Sequence, residues 1–234
     1  MKNRILFILV FLIHLTFVSE SFSKQVEFKA KNIEIIQDQD LTIANDALAI
    51  IDEGDISIKG KKIQYFKKKF LLLVNNGIIT FKEKNLKIQS DYIDYNIKNS
   101  ILRLEDNIKI VDKKNDLSIF SNYIYYDENE QILKSEKNSE ITDKLGNLYQ
   151  VDSFEYSLKK KIIKLSGVKI LDNDQNKFAL DLAYLDLNNN ELIAKDVNLN
   201  FKTPEGTENE PRLKGLSLVT NENSTVVKKG TFTL

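Results

Sequence analysis

Between residues 24 and 201 apolar and polar side chains alternate with a period of two, in runs rich in Ile, Tyr, Phe and Val. No stretch of it sustains the 3.6-residue spacing of a helix. Such alternation predicts β-strands with one face turned to a core. The strands recur in register. Val26-Glu27-Phe28-Lys29-Ala30-Lys31-Asn32-Ile33-Glu34-Ile35 aligns without gaps on Ile56-Ser57-Ile58-Lys59-Gly60-Lys61-Lys62-Ile63-Gln64-Tyr65, thirty residues further on. Residues 86–95 and 117–126 are the next copies, and two more end at Phe154-Glu155-Tyr156 and Leu185-Asp186-Leu187. The closing residues fall at 35, 65, 95, 126, 156 and 187, a register that chance alternation does not keep through six copies.

Each copy has a second half. After a polar turn such as Asn96-Ile97-Lys98-Asn99 comes an apolar return, as in Ile101-Leu102-Arg103-Leu104 or Ile162-Ile163-Lys164-Leu165. A small or polar corner follows, at Asn45-Asp46, Asn75-Asn76-Gly77, Asp106-Asn107 and Ser166-Gly167, and alternation then resumes. Within a copy the parity of the apolar positions slips: Ile88 and Ser90 are even-numbered, Ile93 and Tyr95 odd. A one-residue slip sends side chains to the opposite face unless the strand bends or bulges there. Bends are therefore expected at Ala30, Gly60, Ser90, Ser121 and Ser153. Bent hairpins stacked in series give two facing sheets around an apolar interior that is open at both ends. Six copies of two strands at about 4.8 Å each would extend roughly 55–60 Å. The expected fold class is all-β, an elongated β-solenoid of about six hairpin repeats of about thirty residues.

The flanks read differently. Met1-Lys2-Asn3-Arg4 is a basic start, Ile5 to Val18 has only His14 and Thr16 as polar residues, and Ser21 and Ser23 give a small-x-small pattern. The apolar run is shorter than the roughly 20 residues that span a bilayer. Residues 1–23 are read as a secretory signal peptide, with an uncleaved anchor as the alternative. No Cys follows, which excludes a lipoprotein anchor. Pro204 and Pro211 bracket a Glu-, Gly- and Asn-rich stretch, so 202–211 is read as a linker between a repeat domain at 24–201 and a hairpin at 212–234. The chain stops mid-pattern on Thr231-Phe232-Thr233-Leu234, like a domain whose continuation is missing.

Composition then removes chemistry. The chain has 34 basic and 34 acidic side chains, no Cys, no Trp and one His, which lies in the expected signal segment. Balanced charge gives no reason to expect nucleic acid. Without His and Cys, triad catalysis, thiol chemistry and His- or Cys-ligated metal have no residues to use. No cofactor is expected. A carboxylate enzyme or an oxygen-ligated calcium site remains open.

The unit Ser90-Asp91-Tyr92-Ile93-Asp94-Tyr95, a turn, then Ile101-Leu102-Arg103-Leu104-Glu105-Asp106-Asn107-Ile108-Lys109-Ile110 resembles the OstA-type repeat of lipopolysaccharide transport. That repeat is shared by the periplasmic bridge protein LptA, by LptC and by the N-terminal domain of the outer-membrane protein LptD. The resemblance covers about 26–201. The tail, Glu210-Pro211-Arg212-Leu213-Lys214-Gly215 and Val226-Val227-Lys228-Lys229-Gly230-Thr231-Phe232-Thr233, is similar to the segment that joins the repeat domain of LptD to its barrel. On that likeness the chain is expected to be a partial or barrel-less LptD, with a free-standing LptA-like bridge protein as the alternative. The resemblance implies a β-jellyroll whose interior shields lipid A acyl chains, located in the periplasm or at the periplasmic face of the outer membrane. The implied partners are lipopolysaccharide, an LptA-like protein stacked by strand addition at a sheet edge, and components of the outer-membrane translocon.

Under this reading the lipid-facing interior is Ile58, Ile63, Ile88, Ile93, Ile119, Ile124, Phe154, Leu180 and Leu185; the same positions would serve equally as plain core. Val26, Phe28, Ile33 and Ile35 on strand 25–36 form the candidate docking edge, or an ordinary edge strand. Lys67-Lys68-Lys69 and Lys159-Lys160-Lys161 could meet lipid phosphates, but they sit on predicted turns, where solvated charge is the simpler reading. Asp172-Asn173-Asp174-Gln175-Asn176 has the composition of a calcium loop without its glycine or closing Glu. Arg103 and Arg212 form no cluster. Two other function classes compete: an exported glycan-active β-solenoid using paired carboxylates, and a structural surface repeat. The first is disfavoured because the acids fall mainly on turns and Trp is absent.

Overall fold

Alternation with a mid-strand slip has a definite structural outcome: long strands that turn a corner halfway along. The computed structural model of the protein describes residues 25–173, 175–203, 211–221 and 224–233. The expected signal segment and residues 204–210 of the expected linker lie outside them. The described chain forms β1 (Val26–Lys29), β2 (Asn32–Ile36), β3 (Leu41–Ile51), β4 (Ile56–Phe66), β5 (Leu71–Phe81) and β6 (Leu86–Asn96). It continues through β7 (Ile101–Asp112), β8 (Leu117–Asp127), β9 (Ile132–Ser135), β10 (Ser139–Thr142), β11 (Leu148–Val151) and β12 (Ser153–Ser157). β13 (Ile162–Leu171), β14 (Lys177–Asp186), β15 (Glu191–Asn200), β16 (Arg212–Thr220), β17 (Thr225–Lys228) and β18 (Thr231–Thr233) complete it. Three 3₁₀ turns occur, and there is no α-helix among the described residues.

All strands belong to one antiparallel sheet. β1 and β2 pair with the two halves of β3, and β9 and β10 with the two halves of β8. β11 and β12 share β13, and β17 and β18 share β16. Taking each such couple as one interrupted strand, the chain is a meander of fourteen bent strands, each bonded to its neighbours in sequence. At about 4.8 Å per strand the meander extends about 60 Å. β16 pairs with β15 along its length, so the segment after residue 211 continues the same sheet.

The burial pattern shows where the corners lie. In β6 Leu86, Ile88 and Ser90 are buried, then Ile93 and Tyr95; β8 repeats this with Leu117, Ile119 and Ser121, then Ile124 and Tyr126. Inward positions thus run in steps of two, with one step of three at the bend. β3, β5, β7, β13 and β15 bend at a residue with positive φ: Asp46, Asn76, Asp106 with Asn107, Gly167 and Asp196. Asp, Asn and Gly are the residues that enter this region at least cost. In β7 both Asp106 and Asn107 do so, the inward step lengthens from Leu104 to Ile108, and the register shifts by one residue on both sides, which is a bulge. β4, β6 and β8 bend at the small residues Gly60, Ser90 and Ser121. β14 instead steps from Leu180 to Ala183 without one, and the break between β11 and β12 falls at Asp152, one residue before the expected Ser153. Ser90 donates its hydroxyl to the carbonyls of Tyr92 (2.8 Å) and Glu105 (2.7 Å), and Ser139 donates to Ser121 Oγ at 2.9 Å.

Gly60, on the inner side of the bend in β4, leaves no room for a side chain: a Cβ there would lie 2.3 Å from Val74 Cγ1. Gly60→Ala is therefore expected to destabilise the fold by about 1–3 kcal/mol through overpacking. Chemical denaturation measures this, and an unchanged midpoint would mean that the strands do not close on each other at that corner.

The turns are fixed locally. Asp112, Asp143, Asp172 and Asp186 each accept a side-chain hydrogen bond from an Asn three or four residues on, together with backbone N–H donors inside the turn. The core fills the space between the two halves of the bent sheet. It is one continuous cluster from Ala44 to Leu218. At the ends it is uncovered. Ile33 pairs in register with the buried Ala44, on the inward face, yet Ile33 and Ile35 are 48% and 68% exposed. At the other end Phe232 pairs with Leu213 and is 55% exposed.

Candidate functional site

All nine residues expected to line the interior lie in the single core cluster. The structure brings them together; whether they meet a ligand or only one another depends on whether the two sheet halves part. Val26 and Phe28 of the candidate docking edge pack partly against the core, while Ile33 and Ile35 are exposed. β1 and β2 pair only with β3, so this is a free sheet edge among the described residues, and β17 with β18 forms the opposite one.

Opposite the bends, the two halves end in rows of turns that face each other across a mouth. Turns near residues 67–70, 97–100 and 128–131 cap one half, and turns near 52–55, 82–85 and 113–116 cap the other. Along the first two-thirds of the chain this mouth is bridged. Phe28 and Tyr65 meet with ring centroids 6.0 Å apart, and Phe81 and Tyr126 meet edge-on at 5.4 Å. Lys84 reaches across to Glu128 at 3.2 Å and lies 5.1 Å over the Phe81 ring. Tyr95 donates to the other oxygen of Glu128 at 2.8 Å. Tyr156 donates to Asp112 on the facing half at 2.6 Å, and Asn115 donates to the Tyr156 hydroxyl at 2.8 Å.

Beyond Tyr156 the next buried tyrosine is held differently. Tyr149 donates to Asp143 on its own half of the sheet (2.8 Å), and an opening of about 160 Å³ separates Tyr149, Ile170 and Phe178 from Leu185, Leu187 and Leu192. That volume is below the roughly 300 Å³ of a small-molecule pocket, so it is a breach in the mouth, with these apolar side chains ringed by polar turn residues such as Asp143, Asn147, Asp172 and Asn190. Leu185 thus sits at the breach, and Ile93 lies deep behind the bridged section.

Burial raises the pKa of Tyr95, Tyr126, Tyr149 and Tyr156 far above the usual tyrosine value. Hydrogen bonding to, or proximity of, a carboxylate adds to this in each case: Glu128 for Tyr95 and Tyr126, Asp143 for Tyr149, and Asp112 for Tyr156. These hydroxyls are neutral donors at any physiological pH.

The cross-mouth set was not among the residues singled out in the sequence. The tyrosines were visible as repeat-closing residues, but the partners Lys84, Asp112 and Glu128 looked like ordinary turn charges. The two lysine runs fall on turns as expected: Lys67, Lys68 and Lys69 are exposed, with Lys68 paired to Asp40. The Asp172 carboxylate holds its own turn through Asn176, and no cluster of three or more potential metal ligands occurs among the described residues. No helix among them is long and apolar enough to cross a membrane.

The profile of the LptC-related lipopolysaccharide-assembly family matches residues 6–172, well over half of the chain. Among solved structures, one match is LptH of Pseudomonas aeruginosa, described as the LptA-homologous periplasmic component of the lipopolysaccharide transport device. Identity is 10% over 61% of this chain and 82% of that one, with a TM-score of 0.26, too low to carry an inference here. No curated protein sequence matches the chain.

Proposed function

The chain belongs to the LptC-related lipopolysaccharide-assembly family, and from that premise we propose that it is a non-enzymatic carrier of lipopolysaccharide acyl chains, working as a bridge protein of the LptA and LptC kind in the periplasm. The observation that supports this is the continuous apolar interior between two sheet halves, open at both ends and breached along its mouth. Acyl chains in water cost about 0.8 kcal/mol for each exposed CH₂, so a continuous apolar channel lowers the barrier to transfer without any chemistry. The uncovered edges at β1–β2 and β17–β18 are suited to strand addition by neighbouring jellyrolls, with Val26, Phe28, Ile33 and Ile35 as the docking edge on one side.

A second reading, the periplasmic module of LptD, draws on the tail residues 210–215 and 226–233. These lie beyond the matched residues 6–172, and the bridge-protein reading accounts for the matched part without them. A photo-crosslinking residue at Val226 separates the two: capture of an outer-membrane barrel favours the LptD module, and capture of a soluble jellyroll favours the bridge.

The carrier reading itself is tested by a photo-crosslinking residue at Ile93, with Lys98 on the adjoining turn as control, in cells that make lipopolysaccharide. Capture at 93 and not at 98 is expected. Capture at neither position in a folded protein would mean that the interior is a closed core and the protein a scaffold.

A further inference from the structure

The bridged part of the mouth contains one side chain that the fold leaves unfinished. Tyr126 is fully buried, and its hydroxyl has no hydrogen-bond partner among the described residues. A buried hydroxyl without a partner is unfavourable, and Phe would fill the same space without that penalty. Beside it Lys84 holds a charge on a side chain only 19% exposed, neutralised by Glu128 at 9%. Ion pairs this far from water recover their desolvation poorly. A competing anion that brings its own apolar anchor is therefore well placed to take over the ammonium. The apolar wall is adjacent, since Lys84 lies over Phe81 and Phe81 packs on Tyr126.

We propose that Lys84, Tyr126 and Glu128 form a headgroup site for an acylated phosphate: the phosphate displaces Glu128 from Lys84, and the Tyr126 hydroxyl donates to the carbonyl that joins the acyl chain to the headgroup. This rests on the acyl-carrier reading and adds where the bridged mouth opens and what opens it. Displacing Glu128 removes the tie that Lys84 makes across the mouth and takes from Tyr95 its hydrogen-bond acceptor. Glu128 leaves with its own turn, and the acyl chain enters next to Ile93 and Ile124.

The test uses the full chain and two lipids that differ only in the phosphate, 1-myristoyl lysophosphatidic acid and 1-myristoylglycerol, titrated calorimetrically below their micellar concentrations. The phosphate-bearing lipid is expected to bind the unmodified protein at least tenfold more tightly. Glu128→Gln should tighten its binding further. Tyr126→Phe should weaken both lipids several-fold while raising the thermal midpoint. Lys84→Met combined with Glu128→Gln removes both charges together, so no lone buried charge threatens the fold, and should abolish the preference for phosphate. If both lipids bind the unmodified protein and every variant alike, the headgroup site is wrong and the acyl carrier stands. Binding of neither lipid by any folded form overturns both.

Discussion

Raising the pH beyond about 10 is expected to unfold the protein cooperatively, with the tyrosinate absorbance of the buried residues appearing together with the loss of β-sheet circular dichroism. Tyr95, Tyr126, Tyr149 and Tyr156 are held neutral, first by burial and then by the neighbouring carboxylates Glu128, Asp143 and Asp112. In the unfolded chain each ionises near its ordinary value of about 10. Because the folded values are raised, the unfolded state loses protons that the folded state keeps. The stability these groups lend is thus fully present below about pH 10 and is lost as pH climbs from there toward the folded values. Complete ionisation with the sheet intact would mean that the mouth already admits hydroxide at these positions.

Asp112→Ala is expected to lower stability by about 3–4 kcal/mol, because a buried carboxylate with several donors is removed at once. Asp112 is 2% exposed and accepts from the backbone N–H groups of Lys114 and Asn115, from the Asn115 side chain and from the Tyr156 hydroxyl across the mouth. For a protein of this size that loss corresponds to a melting point lower by roughly 10 °C. Asp112→Asn keeps an acceptor and should lose about a third as much. If both variants melt with the unmodified protein, the Tyr156–Asp112 contact does not hold the two halves together.

The architecture was legible in the sequence because its determinants are local. Alternation sets the strand, the parity slip from Ile88 to Ile93 sets the bend, and Asn75-Asn76-Gly77 or Asp106-Asn107 marks the corner where positive φ is needed. The extra residue in β7 escaped notice because it restores parity: Leu104 and Ile108 are both even-numbered and look like unbroken alternation. The interior set was equally readable, since residues such as Ile63 and Ile124 lie inward by period alone. The mouth was not. Glu128 meets Lys84 from 44 positions away, and Tyr156 meets Asp112 from 44. Each spans about one and a half repeats, so neither pair is visible within a single copy. They arise only once two sheet halves fold over each other, so a turn acid bonded across the mouth and a solvated turn acid look the same in the sequence.

Strand pairing confined to sequence neighbours also governs how such a molecule comes into being. Each bent strand finds its partner within the next two or three dozen residues, so no pairing waits for the chain ends to meet, and loop-closure entropy stays small at every step. A chain delivered from one end can add a strand to the finished stack as soon as its bend has emerged. Until the last strand arrives, the growing face is itself an open edge ready to bond. Assembly in the order of delivery and docking to a neighbour are then the same event, repeated until the final strand is in place.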